Sequence, residues 1–442
     1  MNVRKREAFL IALFFLLLTF VFVNQTRIAN YAYDRYTMPA EFESQGMVWM
    51  SCIGLPPFNK INAELINIIE SNIRINVVTE SDSLLEDCRR YLGSNDNDLF
   101  PIKYRSITDS DLWIRDHGAV FVKNKEGLLK IVDFKWSQYG YREWLNDYYS
   151  GNQVLVEEVM SVILQSKKGQ FDSLMAVRTG IPIEKTWITI EGGAIESNGT
   201  GTIILNEKLT LNRNPGVSKD KLEKEFKRVL GVSNIIWLYD GIAEDPHIFG
   251  TIVDNFIGIG TGGHTDEFVR FVDPKTILLA WIPEEEKNLN PITRLNFQRM
   301  SKNYEILKSS RNEQGEEFKI LKVPLPKTVM QKIRINKGNE WDTTLNIPEM
   351  MFKPADGWNA GDSVFRVAAT SYLNYFLTNS EVVIPSYIHA GTSKEKEEEV
   401  KSIFKSVFPG RRIISVNALP LNWRGGGLHC VTLNQPASLV KP

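Results

Sequence analysis

Four short segments of the chain gather side chains that packing alone does not require. The first is Asp111-Leu112-Trp113-Ile114-Arg115-Asp116-His117-Gly118, which leads into a strand-like run, Ala119 to Val122. One reading is a solvated loop in which Asp116 pairs with Arg115. The other is a site for a planar cation, because an indole face attracts it while a carboxylate accepts its hydrogens. The second segment, Ile188-Thr189-Ile190-Glu191-Gly192-Gly193-Ala194, ends a strand in a glutamate and two glycines. It is either a turn or a carboxylate held on rigid backbone, where it can orient a base. The third, Gly262-Gly263-His264-Thr265-Asp266-Glu267, precedes the strand-like Phe268 to Val272. An extended segment would project His264 and Asp266 to one face. Two metal ligands would fit that spacing, but no third is evident nearby, and no metal is assigned.

The fourth segment is Asn422-Trp423-Arg424-Gly425-Gly426-Gly427-Leu428-His429-Cys430-Val431-Thr432. Three glycines allow a sharp turn or a close approach of backbone to a ligand. They place Cys430 just past that turn, where a thiol has the access and polar company that reactivity needs. Cys52 and Cys88 lack such a context and read as packing residues. Three scattered cysteines without a C-x-x-C pair make neither a disulfide framework nor a zinc site. The four segments supply a thiol, an imidazole and several carboxylates, with no serine elbow and no phosphate loop. A Cys-His peptidase or amidotransferase would leave the acids idle. A guanidinium substrate needs them: two carboxylates can accept its N–H pairs and leave its central carbon facing a thiolate.

These residues must be held by an alternation of strands and helices. Met47 to Met50 reads as a strand, Ile61 to Ile73 as a helix, Arg74 to Thr79 as a strand and Ser81 to Leu92 as a helix. Ser218 caps a further helix that Gly231 stops, and Ile235 to Leu238 returns as a strand. The rhythm predicts an α/β architecture without a repeat of fixed period. One catalytic domain spans residues 37–442, and the polar stretch 283–344 reads as its least regular part. With 52 Lys and Arg against 53 Asp and Glu, and no interleaved basic and aromatic tract, a nucleic-acid partner is not expected.

The N-terminus is set apart. A basic flank, residues 1–7, precedes an apolar run from Ala8 to Val23 and a linker, residues 24–36. The pattern predicts a membrane anchor or signal segment, with the body outside the cytoplasm, or secreted or periplasmic if the segment is cleaved.

Together, Met38-Pro39-Ala40-Glu41-Phe42, Trp113-Ile114-Arg115-Asp116, Glu191-Gly192-Gly193, Asn212-Arg213-Asn214-Pro215, Gly263-His264-Thr265-Asp266 and Gly425-Gly426-Gly427-Leu428-His429-Cys430 resemble the agmatine deiminase and Porphyromonas-type peptidylarginine deiminase family, in the family's order. The resemblance implies a five-bladed α/β propeller (pentein) that needs no cofactor. It implies Cys430 as nucleophile, His264 as general acid/base and Glu191 as the acid that orients it. Asp116 and Asp266 become the guanidinium clamp, with Trp113 and Asn374 beside the substrate. The product would be citrulline from arginine or peptidylarginine, or N-carbamoylputrescine from agmatine, with ammonia. The acid expected before His264 to meet agmatine's amine is replaced by Gly260. A membrane-tethered binding protein that no longer hydrolyses is the alternative, and a homo-oligomer of either is allowed.

Overall fold

The computed structural model describes residues 35–69, 72–93, 102–108, 110–166, 168–337 and 346–438. Five sheets share one strand pattern, an antiparallel hairpin whose second strand pairs in parallel with a third. They are formed by 120–123, 129–135 and 183–189; by 195–197, 202–206 and 234–238; by 269–273, 276–281 and 319–324; and by 376–377, 381–385 and 412–416. The fifth closes the chain on itself: strand Thr432–Pro436 runs antiparallel to Gln45–Ser51, which pairs in parallel with Arg74–Thr79. A fourth strand, Ile102–Ser106, extends that sheet.

Parallel neighbours need a crossover, and in each sheet helix supplies it. Pro56–Ile69 does so in the closing sheet, Lys219–Leu230, Pro291–Ser309 and Lys394–Val407 in three others, and a series ending in Phe171–Thr179 in the sheet of 120–189. Lys219–Leu230 shows why the sequence was readable here. Ser218 accepts a hydrogen bond from the Lys221 N–H, Gly231 ends the helix at φ 63°, and Leu222, Phe226, Val229 and Leu230 form one buried stripe. A sixth sheet, of 247–253, 256–261, 363–367, 330–336 and 346–348, departs from the pattern. Its second strand runs directly into the glycines before His264.

Several expectations are corrected. Cys52 and Cys88 are joined in a disulfide with Cα atoms 6.2 Å apart, so they are a covalent staple as well as core residues. The stretch 283–344 contains a 19-residue helix capped reciprocally by Asn290 and Thr293, and two strands. His264 and Asp266 do not alternate along a strand: His264 caps a tight turn, Thr265–Glu267. Among the described residues no helix is long and apolar enough to cross a membrane. The flank, the apolar run 8–23 and the linker up to residue 34 lie outside the described residues. The membrane partner and the anchored location are therefore withdrawn.

Candidate active site

Each of the four segments ends beside the same point. Cys430 lies two residues before strand Thr432–Pro436 and is 2% exposed. The three glycines are required by close approach. A Cβ on Gly425 would strike the Ile259 carbonyl, one on Gly426 the Trp113 ring, and one on Gly427 the Asn374 amide. The Gly427 N–H points at Cys430 Sγ from 3.4 Å and Asn374 Nδ2 from 3.2 Å. Asn374 Nδ2 also donates to Glu267 Oε1 at 2.9 Å, and its Oδ1 accepts the His429 N–H at 2.9 Å. Asp266 Oδ2 is 3.8 Å from the sulfur and Glu267 Oε1 4.0 Å.

His264 stands between two carboxylates, its Nδ1 3.4 Å from Asp116 Oδ1 and its Nε2 3.3 Å from Glu191 Oε2. Asp116 sits in the short helix Ile114–His117 and is held by the Tyr139 hydroxyl at 2.9 Å and the Gly193 N–H at 3.3 Å. Glycine is needed at 193 because a Cβ would come within 2.9 Å of Asp116, His264 and Asp266 at once. The turn carrying His264 is itself fixed by Asp245, whose Oδ2 accepts the Gly263 and His264 N–H groups, each at 2.9 Å. Arg213 Nε forks onto both oxygens of Glu191, at 2.8 and 3.1 Å.

The charges follow from this geometry. Burial opposes ionisation of Glu191, but Arg213 and His264 overcome it and hold its carboxyl down to about 2. Burial also opposes a charged His264, yet Asp116 and Glu191 raise it to about 9. Asp116 is pushed up to about 7 by burial, with Asp266 and Glu191 adding to it. Burial, then Asp266, lifts both Glu267 and the Cys430 thiol well above their usual ranges. Asp266 goes the other way, because His429 and His264 outweigh its burial. Three buried atoms here, His264 Nδ1, Asp266 Oδ1 and Glu267 Oε2, have no hydrogen-bond partner among the described residues. Asp266, Glu267 and Cys430 also offer donors within 4.8 Å of one another, a set that could hold a metal ion.

Above the thiol opens a cavity of about 310 Å³ lined by Trp113, Asp116, Tyr139, Ile248, Ile259 and Arg424 among others. Three of its lining residues, Gln138, Tyr139 and Ile248, have φ of 54°, 60° and 62°. Non-glycine residues there cost about 1–3 kcal/mol each, a strain that concentrates at ligand sites.

All seven residues singled out from the sequence thus converge. Sequence reasoning missed Glu267, Tyr139 and His429 as contacts of the site, and Arg213, Asp245 and Glu41 behind them. Glu267, His429, Arg213 and Glu41 lie inside motifs already quoted, so a signal existed. Tyr139 and Asp245 had none.

A profile of the Porphyromonas-type peptidyl-arginine deiminase family matches residues 37–436. The chain belongs to that family. It is 26% identical to agmatine deiminase of Pseudomonas putida over 423 residues, covering 92% of this chain and 97% of that one. Agmatine deiminase of Pseudomonas fluorescens is 26% identical over 420 residues, 91% and 96% of the two chains. Among solved structures, agmatine deiminase of Enterococcus faecalis superposes with a TM-score of 0.67 at 22% identity over 91% of this chain and 96% of that one. A substrate-bound agmatine deiminase of C. jejuni gives 0.63 at 20% identity over 92% and 97%. Those two structures share an α/β fold with this deiminase. It is a hydrolase of a guanidino or amidine group with a cysteine-centred site, which removes the non-hydrolysing alternative.

Proposed function

We propose that this deiminase hydrolyses the guanidino group of arginine, free or in a peptide, with Cys430 as nucleophile and the five like sheets as blades of a propeller around it. The observation that carries the reading is the pair of unpartnered buried acceptors, Asp266 Oδ1 and Glu267 Oε2, beside a buried thiol. A guanidinium has N–H groups for such acceptors, and Asp116 and Asp266 can clamp it with Trp113 against its stem. Binding it adds positive charge next to Cys430, which lowers the thiol toward its thiolate.

The thiolate attacks the guanidinium carbon and forms a C–S bond. His264, oriented by Glu191, gives its proton to the departing nitrogen, the C–N bond breaks and ammonia leaves. An S-alkylthiouronium remains, and neutral His264 takes a proton from the water that attacks it. The C–S bond then breaks, returning the thiolate and releasing a ureido product. Asn374 Nδ2 and the Gly427 N–H hold the sulfur in place throughout.

The far end of the cavity favours arginine over agmatine. Asp116, at the thiol end, is the acid among the lining residues, and Arg424 is their cation. At Gly260 a side chain would run into Asp245. Asp245 is taken up by the Thr261 hydroxyl and the Gly263 and His264 N–H groups and does not line the cavity. The ammonium of agmatine therefore finds no free acid there, whereas a carboxylate or amide meets Arg424. The named relatives are agmatine deiminases, so agmatine is the comparison substrate. Ammonia and ureido product are measured with arginine, an arginine peptide and agmatine. The expected order of kcat/KM puts agmatine last, and Cys430→Ala abolishes turnover of all three. Turnover retained in Cys430→Ala ends the nucleophile assignment, and agmatine turned over fastest ends the arginine reading.

A further inference from the structure

His429, next to the nucleophile in sequence, points away from it in space. Its Nδ1 lies 2.7 Å from Asp266 Oδ2 and its Nε2 2.8 Å from Glu41 Oε2, and the ring is buried. Each of these contacts needs a hydrogen, and neutral imidazole has one N–H. The Glu41–His429–Asp266 chain therefore holds one proton more than a neutral ring between two carboxylates. Glu41 is the exit: its side chain is 21% exposed and lines a second cavity, of about 50 Å³, that shares no residue with the one above Cys430.

The two oxygens of Asp266 divide the work. Oδ1 has no hydrogen-bond partner among the described residues and is left for substrate, while Oδ2 faces both the thiol, at 3.8 Å, and His429. A guanidinium seated on Cys430 blocks the direct way out, so the thiol proton needs another route. Around Asp266 the other candidates are engaged. Glu267 Oε1 accepts from Asn374 Nδ2 and its Oε2 is left for substrate, and Asp116 and Glu191 favour a charged His264, which has no nitrogen left to take a proton. Glu41 is held from its other side by Arg115 and by Arg270 Nη2 at 2.6 Å, which favour returning its carboxyl to the ionised form.

We propose that His429 is a positioning residue that discharges a proton through Glu41 into this second cavity as guanidinium binding ionises Cys430. The S–H bond breaks and its proton goes to Asp266 Oδ2, so that Asp266 then holds the guanidinium as a neutral carboxyl through its Oδ1, beside Asp116. In the same exchange the Nε2–H bond of His429 breaks, its proton passing to Glu41 Oε2 and on to water. The ring keeps its Nδ1–H on Asp266, and one proton leaves per thiolate formed. The inference rests on Cys430 being the nucleophile.

The test is alkylation of the full chain by 2-chloroacetamidine, whose cation stands in for guanidinium, followed across pH with a dye that counts released protons. His429→Gln keeps a hydrogen-bonding side chain but has no proton to release. It is expected to be alkylated about 100-fold more slowly, with a displaced pH profile, and added imidazole should restore the rate in His429→Gly. Glu41→Gln, which closes the exit and leaves His429 in place, should show the same slowing to a lesser degree, and it decides the matter if the His429 variants do not fold. Wild-type rate and pH profile in a folded variant, His429→Gln or Glu41→Gln, overturn the proposal while the nucleophile reading stands. A wild-type chain not alkylated at Cys430 overturns both.

Discussion

Two groups of acids meet on either side of His429, and they differ in what their oxygens are given to bind. On the side away from the thiol, Glu41 is bound by Arg115, by Arg270 and by His429, and Glu196 lies 3.1 Å from Arg270 Nε. On the Cys430 side, Asp266 Oδ1 and Glu267 Oε2 have no hydrogen-bond partner among the described residues. Burial pushes Asp116 up to about 7, as it does Glu196 in the first group, and lifts Glu267 well above the carboxylate range, while His429 and His264 hold Asp266 down. The first group has its guanidinium ions built in, as arginine side chains. The second has no such ion built in, and under the proposed function it is the substrate that would bring one. Burying a carboxylate without its cation is unfavourable, so the difference locates the stored binding energy of the molecule.

The comparison can be broken most sharply at Asp266. Asp266→Asn removes an acceptor meant for the substrate, and kcat/KM should fall by about 3 kcal/mol, or about 100-fold. Because His429 and His264 hold Asp266 ionised against its burial, the variant's melting temperature should fall somewhat as well; a drop in melting temperature with kcat/KM unchanged would show the acid to be structural. Arg270→Met tests the other side. It leaves Glu41 and Glu196 short of a buried cation, and urea unfolding should show a loss of about 3 kcal/mol. Unchanged stability would mean that these built-in pairs contribute nothing to the fold.

The smallest expected effect is that of pH. The raised His264 contributes stability that is complete below its ordinary value of about 6.5 and is lost as pH rises through about 9. The lowered Glu191 contributes stability present above about 4.3 and lost as pH falls toward about 2. Melting temperature should therefore decline on both flanks, and turnover should fall through about 9 as His264 loses the proton it donates. Undiminished activity above that point would remove His264 as the acid.

Much of this was legible because local rules and tertiary structure agree. The helix from Asp82 to Leu92 and the strand from Arg74 to Thr79 follow from periodicity, and Ser218 and Gly231 mark their helix by capping. The site could be read because glycines next to acids stand at strand ends. What stayed hidden depends on distance in the chain. Glu41 meets Arg270 and His429 across separations of 229 and 388 residues. Cys52 and Cys88 are brought together by the packing of a strand's end against a helix, which spacing does not encode. Tyr139 reaches Asp116 from a backbone conformation its residue type disfavours. The five sheets repeat in strand order and not in residues, so no periodicity announced them.

Strand Thr432–Pro436 completes the sheet begun by Gln45–Ser51, with Cys430 two residues ahead of it. In synthesis from the N-terminus, the acids and His264 emerge long before the thiol they surround. A growing chain can finish four of its five like sheets and still be inert toward guanidino groups. Activity then begins at a single late event, when the last strand finds an edge that has waited some four-fifths or more of the chain's length. Such long-range pairing folds slowly, so the rate at which this enzyme becomes active after synthesis should be set by that late strand pairing.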